Sequence, residues 1–446
     1  MSRFGNTLGV LVVFAVLSAA PWARAAEPQR PNILLVVADD QRWDTIAALG
    51  NPEIETPNFD RLVHRGFHFT NAYCMGSMIG AVCLPSRTML ITGRSLWRIP
   101  TNPRAKEAPP GMPLLPTVLA GAGYDTFHCG KASNSCTFGN AAFAVNIETA
   151  GRTELSANET ADAAIAYLRR HDGRRPFFLY LAPPVPHDPR VSPEPFSRRY
   201  DPAKLSLSKN FMPQHPFDNG ELRVRDELLA PHPRTPEAMR RHLADYYGTI
   251  SHLDHEFGRV MEVLKERGWD ENTVVIFTSD QGLAVGGRHG LMGKQNLYEH
   301  FKSPLVLAGP GIPHGKSAAL VYLFDLFPTI CELVGAKQPE EVEGKSLLPI
   351  VDGRQTKLRD WLFCAYRDCQ RMVRDERWKL IQYRAAGSNN TQLFDLANDP
   401  DELRNLAKVD RFAADRERLE TLMLRARQEF GDPVDFDKPV GPTSKP

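Results

Sequence analysis

Pro31-Asn32-Ile33-Leu34-Leu35-Val36-Val37-Ala38 runs apolar without interruption from Ile33 and stops abruptly at Asp39-Asp40. It lacks the alternation of a half-solvated strand, so it predicts a strand buried on both faces, as in a largely parallel sheet. Comparable runs occupy 124–129, 176–182, 273–279 and 304–308. Helical patterns lie between them. The clearest opens with Thr235 as N-cap and Pro236 in the first turn, and stops at Gly268. Its Tyr246, Ile250, Leu253, Phe257, Val260 and Leu264 recur at steps of four and three, which predicts one buried stripe. Alternating strands and helices predict an α/β domain. In such sheets ligands collect beyond the carboxyl ends of the strands. Asp39-Asp40 and Asp280-Gln281 each stand just past a run, so both are assigned to one site.

Past Gly353 the pattern changes. Arg371-Met372-Val373-Arg374, Trp378-Lys379-Leu380-Ile381-Gln382-Tyr383 and Gln392-Leu393-Phe394 read as short alternating strands, and an amphipathic helix follows over 410–430. The expectation is a catalytic domain over 26–355 and a C-terminal subdomain over 356–446, a small antiparallel sheet packed with a helix. Residues 206–235, rich in Pro, His and charge, are expected to form a long surface loop that lines a site.

The chain has 446 residues, 42% hydrophobic and 24% charged, with a formal net charge of +1. That is ordinary globular composition, and no basic field points to nucleic acid. Arg3, the apolar run from Leu8 to Leu17 and Ala23-Arg24-Ala25 have the form of a secretory signal peptide over 1–25. The run is shorter than the roughly 20 residues of a membrane span. Export to the periplasm or outside the cell is therefore expected, with no stable membrane span. There are seven cysteines; Cys129/Cys136 and Cys364/Cys369 are close enough in sequence to pair, and free buried thiols are the alternative.

Cys83-Leu84-Pro85-Ser86-Arg87 leads into a helix-like Thr88-Met89-Leu90-Ile91-Thr92-Gly93-Arg94. Ordinary packing of a buried thiol is one reading. The Cys-x-Pro-x-Arg pattern also resembles the signature of the type I sulfatases of the alkaline-phosphatase-like superfamily. The resemblance extends to the strand before Asp39-Asp40-Gln41-Arg42, to Thr278-Ser279-Asp280-Gln281-Gly282, to Gly293-Lys294 and Tyr298-Glu299, and to Trp378-Lys379-Leu380-Ile381 with Leu393-Phe394-Asp395-Leu396. Met75-Gly76-Ser77 and the stretch 293–299 look most like the iduronate-2-sulfatase and choline-sulfatase branch.

The resemblance implies a mixed, mostly parallel central sheet flanked by helices, and hydrolysis of a sulfate monoester on a carbohydrate or small organic molecule. It implies oxidation of Cys83 to formylglycine by a formylglycine-generating or anaerobic sulfatase-maturating enzyme, and a covalent cycle on that residue. The metal ligands would be Asp39, Asp40, Asp280, Gln281 and residue 83. Four of them offer oxygen, which suits Ca2+ or Mg2+ and not zinc. Asp39-Asp40 capping a helix and Asp280 holding a turn are the alternatives for each alone. Arg87 would polarise residue 83; Lys131, Lys294 and His187 would bind sulfate, with His187 handling the leaving-group proton. His289 would line the substrate pocket or stabilise a turn.

Two positions depart from the family pattern. A histidine usual two residues after Lys131 is Ser133 here, which leaves His128 or water as the proton acceptor of the elimination step, or makes that step slow. Gln281 replaces the usual Asn or His. Phosphonate or phosphate monoester hydrolysis, and sulfoglycan binding without turnover, are the rival functions. Substrate selectivity is expected from loops 100–112, 134–156 and 190–235, in which no code is readable.

Overall fold

In the computed structural model of the chain, the run after Pro31 is the strand Asn32–Ala38, wholly buried. The structure describes residues 30–436 except 101, 103, 104, 150, 386 and 387, together with Met1 and Gly5. The signal-peptide reading over 1–25 therefore lies outside the described residues, apart from those two.

Side chains of that strand alternate between two cores. Ile33, Leu35 and Val37 join one apolar cluster and Leu34, Val36 and Ala38 the other, so both faces are covered. The strand sits in an eight-stranded sheet. Its order is Gly315–Ser317, Phe67–Phe69, Leu305–Ala308, Thr273–Ser279, Asn32–Ala38, Phe177–Ala182, Asp125–Lys131, Val145–Thr149. The five strands from Thr273–Ser279 onward pair in parallel, while Leu305–Ala308 runs antiparallel to both of its neighbours. The sheet is thus mixed and mostly parallel, with helices on both sides.

The long helix spans Pro236–Glu266, and the Thr235 side chain accepts from the Ala238 amide. Tyr246, Ile250, Leu253, Phe257, Val260 and Leu264 are all buried. Helix Ser156–Arg170 packs against it. At the C-terminus, Ala413–Phe430 is helical after a short 3-10 turn, and Leu419, Met423 and Ala426 form its buried stripe.

The C-terminal strands form the expected small antiparallel sheet, and a fifth strand from the large domain is added to its edge. Its strands, in order, are Ser388–Asp395, Trp378–Ala385, Gln370–Arg374, Leu362–Tyr366 and Gly76–Ser77. The last comes from the segment just before Cys83 and pairs in parallel with Leu362–Tyr366. A two-residue strand has too little sequence to show a period.

The 206–235 segment is an irregular loop with many exposed residues that reaches the site at Asp226, as expected, but it is also anchored from within. Asn210, His215, Asn219, Glu221, Glu227 and Arg234 are buried. Glu227 accepts from the amides of Met292 and Gly293, and Asn219 donates to Asn296. The segment is therefore a supporting layer under residues 292–296. All seven cysteines are free and buried. Cys129 and Cys136 belong to opposite cores, which separates them as partners.

Gly76 has φ +107°, and a Cβ there would lie 1.8 Å from the Ala365 carbonyl oxygen. Gly76→Ala is expected to cost about 2 kcal/mol or more, from backbone strain and the broken strand pairing. Denaturant unfolding measures this; an unchanged midpoint would contradict the close strand pairing at Gly76.

Candidate active site

Helix Cys83–Thr92 is buried along its whole length. Pro85 lies in its first turn, where a missing N–H costs no helical hydrogen bond. Cys83 and Arg87 are one turn apart and share a face. The helix N-terminus presents partial positive charge at Cys83. Ser86 Oγ donates to the Asp280 carbonyl at 2.6 Å, pinning the helix to the end of strand Thr273–Ser279. Arg87 Nε donates to Asp280 Oδ2 at 2.9 Å, and its Nη2 lies 3.9 Å from Asp39 Oδ1.

The sheet delivers the remaining groups. Asp280-Gln281, Asp39-Asp40, His187 and Lys131 follow or end four adjacent parallel strands, in that spatial order. Asp40 has φ +71°, in the left-handed region uncommon for a residue with a side chain. Its surroundings enforce that geometry: Tyr246 Oη donates to the Asp40 carbonyl at 2.6 Å, and the Asp40 amide donates to Asp280 Oδ1 at 3.0 Å.

Asp39, Asp40, Cys83 and Asp280 each bring one ligand atom within 4.8 Å of the others, as do Asp39, Cys83 and His187. Cys83 Sγ lies 3.8 Å from Asp40 Oδ1 and 3.2 Å from Gln281 Nε2. Asp39 Oδ1 and Gln281 Oε1 are buried without a hydrogen-bond partner. Gln281 Nε2 donates to Asp40, and rotating the terminal amide would turn Oε1 to that side instead. Three carboxylates and an amide, two of whose oxygens are unpartnered acceptors, fit a hard divalent cation.

Cations crowd the same place. Lys131 Nζ is 2.6 Å from Asp39 Oδ2, and Lys294 Nζ is 2.8 Å from Asp40 Oδ2 and 3.8 Å from Asp226 Oδ2. Burial alone would raise Asp39, but Lys131, with His187, Arg87 and Lys294, holds it well below the usual carboxylate range. Asp280 goes up to about 6: burial and the neighbouring Asp39 outweigh Arg87. Burial, reinforced by the Asp39 charge, pushes the Cys83 thiol far up, so little thiolate exists at neutral pH. His187 donates from Nδ1 to the Asp188 carbonyl at 2.8 Å, leaving Nε2 unprotonated in the neutral ring and 3.6 Å from Asp40 Oδ2. Burial and Lys294 lower His187 to about 4.

The structure thus brings together Cys83, Arg87, Asp39, Asp40, Asp280, Gln281, Lys131, Lys294 and His187. His289 engages other partners. At φ +52° it bonds Glu299 at 3.0 Å, stacks on Tyr298 at 3.9 Å and holds a turn in a buried network with Asn210. His128 is also elsewhere, between Phe143 and Tyr180 with Nδ1 against Asn146. Ala132 and Ser133 are exposed.

Sequence reasoning missed Arg152, Asp188, Asp226 and Tyr246 as neighbours of the site. Arg152 lay in a loop already suspected of selectivity, and Asp188 beside His187, but neither had a pattern to single it out.

A family model described as Sulfatase matches residues 31–336, and one described as N-sulphoglucosamine sulphohydrolase, C-terminal, matches 287–429. An N-acetylglucosamine-6-O-sulfatase of Bacteroides thetaiotaomicron is 23% identical, over 96% of this chain and 92% of its own. A solved structure of a protein in complex with its substrate D-glucosamine-2-N,6-O-disulfate superposes with a TM-score of 0.75 at 20% identity, covering 92% of this chain and 100% of its own. The phosphonate monoester hydrolase of Agrobacterium radiobacter gives 0.73 at 23%, covering 90% and 96%. Both structures share the fold.

His128 itself generates a pH prediction. Burial lowers it from 6.5 to about 4, so the folded ring stays neutral where the unfolded one is protonated. Its contribution to stability is complete above pH 6.5 and is lost as pH falls toward 4, by up to about 3 kcal/mol. His128→Phe is expected to flatten the stability–pH curve in that window; an unchanged slope in acid denaturation refutes this.

Proposed function

The chain belongs to the sulfatase family and is a sulfuric ester hydrolase, and from that premise we propose that it releases sulfate from a sulfated sugar or glycan, using formylglycine at position 83. The observation that carries this reading is the setting of Cys83. It lies at a helix N-terminus inside a three-aspartate cluster, where its thiol is held protonated. A buried thiol makes a poor nucleophile there. An aldehyde hydrate at position 83 would instead supply an oxygen nucleophile toward sulfur. The sugar substrates named for the relatives support the substrate class.

Asp39, Asp40, Asp280 and Gln281 would hold a divalent cation, Ca2+ by the all-oxygen set, with Mg2+ as the smaller alternative. Such an ion adds positive charge beside the sulfate oxygens and acidifies a neighbouring hydroxyl. Arg87, fixed on Asp280, orients residue 83. Lys131 and Lys294 bind sulfate oxygens and stabilise the charge that develops on them. His187 Nε2 is the proton-handling atom, since Nδ1–H is committed to Asp188. It is also the imidazole that reaches the Cys83 cluster among the described residues. With Ser133 exposed and His128 packed away, His187 serves both the leaving alcohol and the elimination step.

A maturation enzyme of the formylglycine-generating or anaerobic type would act on Cys83, and the leader over 1–25 would export the chain. Among the described residues no helix is long and apolar enough to cross a membrane.

Mass spectrometry of the residue-83 peptide from native-host protein is expected to show the aldehyde or its hydrate; a fully active sample carrying only thiol refutes the mechanism. Cys83→Ala is expected to lose roughly a thousandfold or more in kcat. Comparison of kcat/KM on an aryl sulfate and an aryl phosphonate is expected to favour sulfate, and the reverse order moves the chain to phosphonate hydrolysis. Chelation is expected to lower both activity and thermal stability. Calcium at about 100 times its Kd restores roughly 2.7 kcal/mol; no stability response to calcium would exclude the proposed ligand set for that ion.

A further inference from the structure

Three of the four cations around the aspartates are held by short bonds: Arg87 at 2.9 Å to Asp280, Lys131 at 2.6 Å to Asp39 and Lys294 at 2.8 Å to Asp40. The fourth, Arg152, is different. It comes from the connection after strand Val145–Thr149, and its Nη2 stands 3.7 Å from Asp39 Oδ2, the oxygen that Lys131 binds. That nitrogen is buried and has no hydrogen-bond partner. Its side chain is 23% exposed, so the arm runs inward from the surface and carries its head to the carboxylates.

A guanidinium that anchored the loop would be expected to close a fork on a carboxylate or carbonyl. Arg152 instead leaves a buried donor uncommitted, an arrangement that costs stability unless a ligand completes it. We propose that Arg152 is a sulfate-binding residue of this enzyme, donating to an oxygen of the sulfate ester held between it and Lys131. The assignment rests on the hydrolase reading for its substrate.

The segment after Lys131 explains the need. Residues 132–134 are Ala, Ser and Asn, so that stretch brings neither an imidazole nor a charge to the anion. Arg152 supplies charge from the next connection along the sheet edge. Because a guanidinium keeps its proton, it restores anion binding and leaves proton transfer to His187.

The test uses full-length matured enzyme and inorganic sulfate as probe, by calorimetry and as a competitive inhibitor of aryl sulfate hydrolysis. Arg152→Ala and Arg152→Gln are expected to weaken sulfate binding about tenfold or more, the scale of one charge-assisted hydrogen bond. KM should rise with Ki, and the thermal midpoint should stay near that of wild type. Arg152→Lys is expected to recover part of the affinity, because charge returns without the planar fork. Sulfate affinity within twofold of wild type in either neutral variant overturns the proposal. So does equal weakening in all three variants together with a lowered midpoint, which would mark a structural role. If wild-type protein binds sulfate through Arg152 yet hydrolyses no sulfate ester, the hydrolase reading fails and the binding assignment stands.

Discussion

Three buried carboxylates in one place are the constraint around which this molecule is organised. Asp39, Asp40 and Asp280 have at most 1% of their surface exposed. Like charges so close in a low-dielectric interior stay ionised only if cations neutralise them. Arg87, Lys131 and Lys294 do so with direct contacts. Each carboxylate meets a different cation, so removing one partner would strand a buried charge. A divalent ion added to that balance leaves the site net positive, which suits an anionic ester. The same demand accounts for the left-handed backbone at Asp40, held by Tyr246 and Asp280.

The sheet makes this concentration of charge affordable. Parallel strands end on one side, so four neighbours deliver acidic, basic and imidazole groups to one edge while their bodies stay in two apolar cores. Helix Cys83–Thr92 adds its positive N-terminus at the same edge. A second charge network supports the loop that carries Lys294. Glu299 pairs with Arg288, its amide donates to Glu402, and Glu402 pairs with Lys379 of the second sheet. Through that network, and through Gly76–Ser77 pairing with Leu362–Tyr366, the C-terminal sheet braces the catalytic loops from two directions.

Much of this was legible in the chain. Unbroken apolar runs marked the buried strands because a strand covered on both faces has no polar side to alternate. Thr235 and Pro236 marked the start of the long helix, and the Cys83-x-Pro85-x-Arg87 pattern marked the run that leads into the helix carrying the thiol. Short or irregular elements were opaque. Gly76–Ser77 is too brief for periodicity, and the buried polar residues of 206–235 resemble loop composition until their partners are known. For His289 the chain left a pocket-lining and a turn-stabilising role open, and its contacts with Glu299 and Tyr298 match the second.

Local pattern by itself determined the order of strands and helices, the carboxylates at strand ends and the nucleophile's helix, since each depends on neighbours within a turn or a strand. Tertiary structure alone decided that Arg152 faces Asp39, that His128 packs between Phe143 and Tyr180, and that the second sheet takes a strand from the segment before Cys83. Those outcomes depend on which distant segments meet. Burial and charge pairing choose among such meetings, and neither is a property of a short stretch of chain.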